Sequence, residues 1–407
     1  MTIARAVRIF KTKVAYVIEW VENLETVPKN EWDTLALALD TPLFEWEWLR
    51  QFEASGSMTP ETGWLPCHLT VRSDGRLVAA APLYVKGHSQ GEFVWDYMWA
   101  DVANQLKTEY YPKLIGMSPA TPSVGYRFLI DPGEDENAMT RIILQAIDHF
   151  CEENNLSGCS FLFVDDGWKQ RIISHGYVAW LHQSYEWQNQ EFTSFDDYLE
   201  SFTKNQRRNI KRERENVRKQ GIEIRAFTGK DIPQRFFPMV YDYYKKTNDQ
   251  FGPWAAKFLN RSFFEGLYPD FTNRLLIMAA FENGASKPMG MSFLLNKGKS
   301  IIGRYWGASY WADSLHFDAC YYAPIEWAIQ KGIQRFDPGA GSPHKLRRGF
   351  FAVANHSLHK FRDPVMQNIM ETYIDELNRG ETDRIRMMNR SLPLKEPYLP
   401  DFSNFKR

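Results

Sequence analysis

The chain has few cysteines, no long apolar run and almost no net charge, and each shortage removes a class of function. Only four of the 407 residues are cysteines, at 67, 151, 159 and 320. None forms a C-x-x-C pair or has zinc-ligand spacing, so no disulfide scaffold and no metal site are expected, and a reducing compartment is. No stretch approaches the roughly 20 apolar residues of a membrane span. The basic start is followed only by the short apolar run 14–18, too brief for a secretory signal. The expectation is a cytoplasmic protein without a membrane span. Lysine and arginine number 49 against 50 acidic residues, a net charge of -1. That balance argues against a surface that coats nucleic acid, while leaving room for a local basic patch.

What is present is long, apolar and aromatic. At 407 residues, with 44% hydrophobic and 15% aromatic residues, the chain is expected to form two domains with sizeable cores. Residues 71–86 read VRSDGRLVAAAPLYVK, two apolar runs around an Asp-Gly turn, a hairpin signal. Residues 280–295 read AFENGASKPMGMSFLL, with an Asn-Gly turn at 283–284. The two stretches align, 75–87 against 286–298, and 93–97 then align with 301–305. A helix over 136–154 and a strand over 159–164 follow in the first half. A helix ending near Lys331 and a strand over 334–337 follow in the second. Such self-similarity predicts an α+β (mixed α/β) fold of two lobes related by internal duplication. The expected boundaries are 1–190 for the N-terminal lobe, 191–375 for the C-terminal lobe and 376–407 for a polar, Pro-punctuated tail.

The second lobe is expected to open on one long helix. Ser194-Phe195-Asp196-Asp197 has the form of a capping box, Ile210 and Val217 keep helical spacing, and Gly221 is a stop signal. About 26 residues would make a rod of about 39 Å. Within it, residues 204–219 hold eight basic residues against two acidic ones. Arg207, Arg208, Lys211, Arg212, Arg214 and Arg218 are therefore candidates to grip phosphate; the competing reading is a solvated helix face.

Residues 303–349 concentrate groups able to move or stabilise a proton. His316, Asp318, Tyr322 and Glu326 are the candidate catalytic set: Asp318, Glu326 or His316 as general base, Tyr322 as general acid. Pro324 suits the first turn of a helix, so the helix is expected to begin near Ala323, with His316 and Asp318 on the loop entering it. Arg304, Trp306, His344, Lys345 and Arg348 are candidate substrate or donor contacts, His344 to Arg348 following the glycine-containing turn DPGAGSP. Cys320 beside His316 reads as a buried apolar cysteine rather than a nucleophile. In the first half, KGHSQGEFVWD offers His88 and Glu92 as further contacts.

The segments APLYVKGHSQGEFVWDYMWAD, YYPKL, TPSVGYR, SFDDYLESFTKNQRRNIKRERENVRKQGIEIR, GRYWG, LHFDACYYAPIEWAI and HKLRRGF together resemble the Fem-like predicted N-acyltransferases, labelled as peptidoglycan biosynthesis or recognition proteins. The resemblance runs in order over about 31–364. It implies two tandem GNAT-like (acetyltransferase-like) lobes and transfer of an acyl or aminoacyl group to an amine. His344 and Lys345 match the family pattern directly. Pro343 stands where that pattern has Glu, and SPATPSVG replaces its P-F-T-P-V-T-G, which points to a specialised acceptor.

The leading expectation is an N-acyltransferase. It would use a thioester donor, acyl-CoA as co-substrate or an acyl carrier protein, with no permanently bound cofactor. The acceptor is a primary amine of a peptide, amino acid or amino sugar. The abundant aromatics suit a fatty acyl chain delivered to a Lys- or Orn-like side chain. The alternatives are a Fem-type aminoacyl transferase with charged tRNA as donor, and a non-catalytic module that recognises peptide or cell-wall fragments.

Overall fold

The computed structural model describes residues 7–11, 14–252 and 255–400, with side chains from residue 16 onward. The basic start at 1–6 and the last part of the expected tail, 401–407, lie outside them. The chain forms two compact units: residues 1–182 with 355–380, and residues 183–354 with 381–407.

In the first unit, Val7–Lys11, Val14–Val21, His68–Ser73, Arg76–Ala81 and Leu129–Ile130 form an antiparallel sheet. The Asp-Gly hairpin forms as expected, with Asp74 at φ 49° and Gly75 at φ 80°, the left-handed pair that a two-residue turn requires. Lys113–Gly116 then runs parallel to Gly158–Phe161, and the helix Glu136–Glu153 crosses between them. That helix buries Met139, Ile142, Ile143, Ile147 and Phe150, an apolar stripe at helical spacing.

The second unit repeats this order. Ile222–Thr228, Leu275–Glu282, Gly290–Lys297 and Ser300–Ala308 are antiparallel neighbours. A helical stretch from Leu315 to Gln330 leads to Arg335–Asp337, which pairs in parallel with residues 300–302 alone. Antiparallel strands, a crossover helix and a strand parallel to an earlier one form a GNAT-like lobe in each unit; in the first unit the parallel pair lies in a second sheet with Trp64–Pro66 and Tyr84–Lys86.

Each unit takes its next strand from the other half of the sequence. In the first unit, residues 358–361 of Phe351–Phe361 pair with Gly158–Phe161. In the second, Trp187 and Gln188 of Val178–Gln188 pair with Phe336 and Arg335. The exchange explains why the units are discontinuous where single cuts at 190 and 375 were expected.

Other expectations are corrected. Residues 376–390 are not loose tail: they complete the 27-residue helix Pro364–Arg390, whose Met366, Met370 and Ile374 pack with Trp99, Ala103 and Tyr110 in the first unit. Residues 93–97 form no strand and lead into the helix Tyr97–Leu106; the counterpart of Ser300–Ala308 is Lys113–Gly116. The Asn283-Gly284 turn opens a longer connection, because the next strand starts only at Gly290. The single 26-residue rod is two helices, Phe195–Glu200 and Lys204–Lys219. Between them Thr203 N–H donates to Pro393 O (2.9 Å) and Lys395 N–H to Ser201 O (2.8 Å). A bridge between Phe202 and Leu394 separates the two helices, and Phe202 is seated in the core.

Candidate functional site

The basic helix Lys204–Lys219 turns Gln206, Ile210 and Val217 inward. Spacings of four and seven residues define that face, and they carry Glu213 and Arg214 towards the protein with it. Opposite lies the Leu315–Gln330 stretch. It is helical from Leu315, so His316 and Asp318 sit within it and not on an entering loop. Pro324 has no N–H to donate one turn back. The preceding segment Asp318–Tyr322 widens into a π-helix, and Ala323 N–H reaches back five residues to Asp318 O.

Arg214 joins two of the candidate residues. Its Nη2 donates to Glu326 Oε2 at 2.6 Å, and its Nε lies 3.2 Å from Asp318 Oδ1. The second contact is an ion pair without hydrogen-bond geometry, since neither Nε nor Oδ1 has a hydrogen-bond partner. The guanidinium also stacks 4.3 Å from the Phe195 ring. Burial pushes the Asp318 carboxyl above the usual aspartate range, and Arg214 pulls it only partly back. Burial opposes the Arg214 charge, but Asp318 and Glu326 hold its pKa above arginine's ordinary value.

Two cavities share this wall. One of 890 Å³ is lined by the cations Arg208, Lys211, Arg212, Arg214 and Arg218, the carboxylates Asp196, Glu215 and Glu326, and the apolar Phe195 and Leu199, among others. The other, of 490 Å³, is lined by Asp318, Arg214, Glu326, Trp327, Met278 and Ile222 among others. Asp318 opens only on the smaller; Arg214 and Glu326 line both.

The other candidate residues fall into separate groups. Tyr322 is fully buried and donates to the Glu213 carboxylate, which lies 2.9 Å from Arg348 Nη2. Burial raises the Tyr322 pKa, Glu213 adding to the shift against the pull of Arg348, so the hydroxyl is held protonated and inward. Arg348 stacks 3.5 Å from the Phe317 ring. His316 belongs to an aromatic cluster, with ring centroids 5.8 Å from Trp306, 5.6 Å from Tyr321 and 6.1 Å from His344. Tyr321 OH and His344 Nε2 are 3.0 Å apart. Burial pushes both histidines down to about 4. Lys345 is buried, donates to Gly339 O (2.6 Å) and Ala340 O (2.9 Å), and is pushed down to about 8 by burial. It braces the turn instead of facing either cavity.

Arg207 is turned to Glu200, and Arg304 stacks 5.0 Å from the Tyr305 ring; neither lines either of these two cavities. His88 and Glu92 lie in the first unit. Glu92 is fully buried, 2.8 Å from Lys113, which also pairs with Asp96. Burial opposes the Lys113 charge, but the two carboxylates raise its pKa overall. Cys320 reads as before: burial pushes its thiol well up. Among the described residues no group of three or more His, Cys, Asp and Glu could hold a metal ion, and no helix is long and apolar enough to cross a membrane.

Sequence reasoning missed the clamping roles of Glu213 and Arg214. The signal was legible: the Ile210–Val217 spacing puts both on the inward face of a helix whose other charges point out.

Two GNAT-like lobes define the class. The chain belongs to the FemAB-like family, described as peptidoglycan biosynthesis/recognition, whose model matches residues 23–396. No curated protein matches the sequence. Among solved structures, that of FemX is 11% identical and aligns over 85% of this chain and 98% of its own with a TM-score of 0.51. A Bacteroides thetaiotaomicron protein of unknown function is 10% identical, over 85% and 100% of the two chains, at 0.51. The C-terminal domain of a putative lysylphosphatidylglycerol synthetase from Agrobacterium fabrum is 9% identical, over 85% and 95%, at 0.50. At such identities these likenesses describe the fold.

Proposed function

We propose that the protein is an N-acyltransferase working at the Arg214–Asp318–Glu326 wall of the second unit. The observation that carries the reading is that one arginine holds two carboxylates between two cavities, so donor and acceptor can approach a shared boundary from opposite sides. The amine acceptor enters the smaller cavity, where Asp318 meets its ammonium. An ordinary lysine-like amine, with a pKa of about 10.4, must lose a proton before it attacks. Asp318, whose basicity burial has raised, accepts that proton directly or through water. The neutral nitrogen adds to the donor carbonyl carbon, and a C–N bond forms. The positive charge of the Arg214 guanidinium offsets the developing oxyanion. Collapse breaks the C–S bond of a thioester; the adduct nitrogen gives its second proton to the leaving thiolate, and Asp318 releases the first to solvent. Glu326 fixes the orientation of Arg214.

The family's peptidoglycan description favours an acceptor amine on a peptide, such as a Lys- or Orn-like side chain. It also supports a second reading, an aminoacyl ester donor on tRNA, in which a C–O bond breaks at the same carbonyl. The test is free-thiol release across short and long acyl-CoA donors, run beside discharge of aminoacyl-tRNA, each with a lysine-containing peptide. Thiol release that depends on the peptide supports the first reading, and tRNA discharge alone selects the second. Consumption of neither donor, with peptide still bound, would replace both with a recognition module.

A further inference from the structure

We infer that the free edge of the strand Ile222–Thr228 holds the backbone of an extended, lysine-containing peptide, which pairs with it as an added strand and turns its amine side chain into the 490 Å³ cavity. The inference rests on the peptide acceptor proposed for that cavity and adds how its main chain is bound. Ile222–Thr228 pairs with Leu275–Glu282 on one side and, among the described residues, with no strand on the other. In an antiparallel ladder, successive residues point their N–H and C=O alternately towards the neighbour and away from it. The start of the strand fixes which is which: Asn283 N–H donates to Gly221 O (2.8 Å), directly opposite. Residues 223, 225 and 227 therefore bond Leu275–Glu282, and residues 222, 224 and 226 present N–H and C=O outward. Ala280, opposite Ile224, agrees: its C=O accepts from Met289 N–H (2.7 Å), towards the next strand. Among the described residues nothing else bonds the backbone of Ile224 or Ala226.

The outward-facing residues also line the cavity. Ile222, Ile224 and Ala226 form one wall of the space onto which Asp318 opens. A strand added at this edge sends alternate side chains to that face, about 7 Å apart. Sheet edges are ordinarily blunted by charge. Here the charged Arg225 belongs to the opposite face, its guanidinium 5.0 Å from the Phe281 ring, and the cavity side of the edge is apolar with Ala226 exposed. A second copy of the chain, paired edge to edge, would offer this cavity only its own Ile222, Ile224 and Ala226 and bring no ammonium to Asp318. A peptide lysine brings both the backbone partners and the cation. Main-chain bonds then supply affinity, and the cavity selects the side chain.

Isothermal titration of the full chain with a short peptide carrying a central lysine tests the inference. In one series the peptide is N-methylated at single residues. Only alternate N–H groups face the edge, so methylation at every second position should weaken binding about tenfold, and at the positions between them little. In the other series the protein is changed. Ala226→Pro removes an outward N–H, at a kind of site where an edge strand tolerates proline, which circular dichroism checks. It should bind the peptide about tenfold more weakly than Ala226→Val, which has similar bulk and keeps the N–H. Equal effects at all methylated positions, or proline and valine variants that bind alike, overturn the inference. So does a dimer in sedimentation that Ala226→Pro converts to monomer, which gives the edge to a second copy. The transfer reading fails separately. Alternating sensitivity to N-methylation without amide formation leaves the edge site standing and removes the transferase alone; amide formation indifferent to N-methylation does the reverse.

Discussion

The carboxylate of Glu213 lies 2.9 Å from the guanidinium of Arg348, and it also accepts a hydrogen bond from the Tyr322 hydroxyl. One side chain of the basic helix thus fixes both the π-helical stretch and the turn that follows the fifth strand. The Arg348 side chain is 3% exposed, so removing its partner strands a buried cation. Glu213→Gln is expected to cost about 3 kcal/mol, read as a lowered urea midpoint. In the pair Glu213→Gln with Arg348→Met the losses should be less than additive. An unchanged midpoint in Glu213→Gln would mean that the pair contributes nothing.

On the proposed mechanism, Asp318 is expected to set the acid limb of the reaction. Its carboxyl is buried and its pKa raised, so the proton-accepting form is lost as pH falls through a value above the ordinary aspartate range of about 3.9. The rate should therefore fall at a higher pH than for an exposed aspartate base. Asp318→Asn should lower the rate about 100-fold or more and abolish that limb. Steady-state rates across pH 4–8 check this; an Asp318→Asn enzyme with the wild-type profile would contradict it.

Acid also acts on stability through His316. Burial first, then His344 and Arg348, push its pKa down to about 4, against about 6.5 in the unfolded chain. Between those values the unfolded state binds a proton that the folded state does not, so stability falls as pH drops from 6.5 to 4. The slope is about 1.4 kcal/mol per pH unit for this one group. Urea unfolding of wild type and His316→Phe should show the gap narrowing by that amount per unit of acidification. A gap independent of pH would show that His316 titrates normally.

Gly307 is expected to tolerate no side chain. A Cβ there would meet Tyr243 O at 2.1 Å and its carbonyl carbon at 2.2 Å, both backbone atoms of the helix Phe236–Asp249. Gly307→Ala should destabilise by about 3 kcal/mol or fail to give soluble protein. A thermal midpoint equal to wild type would show that the helix can move aside.

Local patterns were legible in the sequence where one signal acts alone. The Asp74-Gly75 hairpin, the capping box at Ser194 and the helix Glu136–Glu153 all form where turn chemistry or an apolar stripe places them. The lobe repeat was visible too, although 93–97 was paired with the wrong partner because strand propensity cannot see that the chain first makes the helix Tyr97–Leu106. What stayed hidden depends on distant segments. Nothing local at 201–203 announces the bridge between Phe202 and Leu394, and the exchange of strands between halves has no sequence period. In the site, Asp318 and Glu326 were expected as alternative bases, and the fold brings both carboxylates onto Arg214. Tyr322, expected to face the reaction, is turned inward by Glu213, and the π-helical stretch beside Pro324 changes which faces His316 and Asp318 share.

The most direct measurement is the amount of amide formed, by mass spectrometry, when wild type, Asp318→Asn and Glu326→Gln are mixed with thioester and aminoacyl-tRNA donors and a lysine-containing peptide. The account predicts product with wild type, about 100-fold less with Asp318→Asn, and an intermediate loss with Glu326→Gln. Equal product from all three proteins would contradict it.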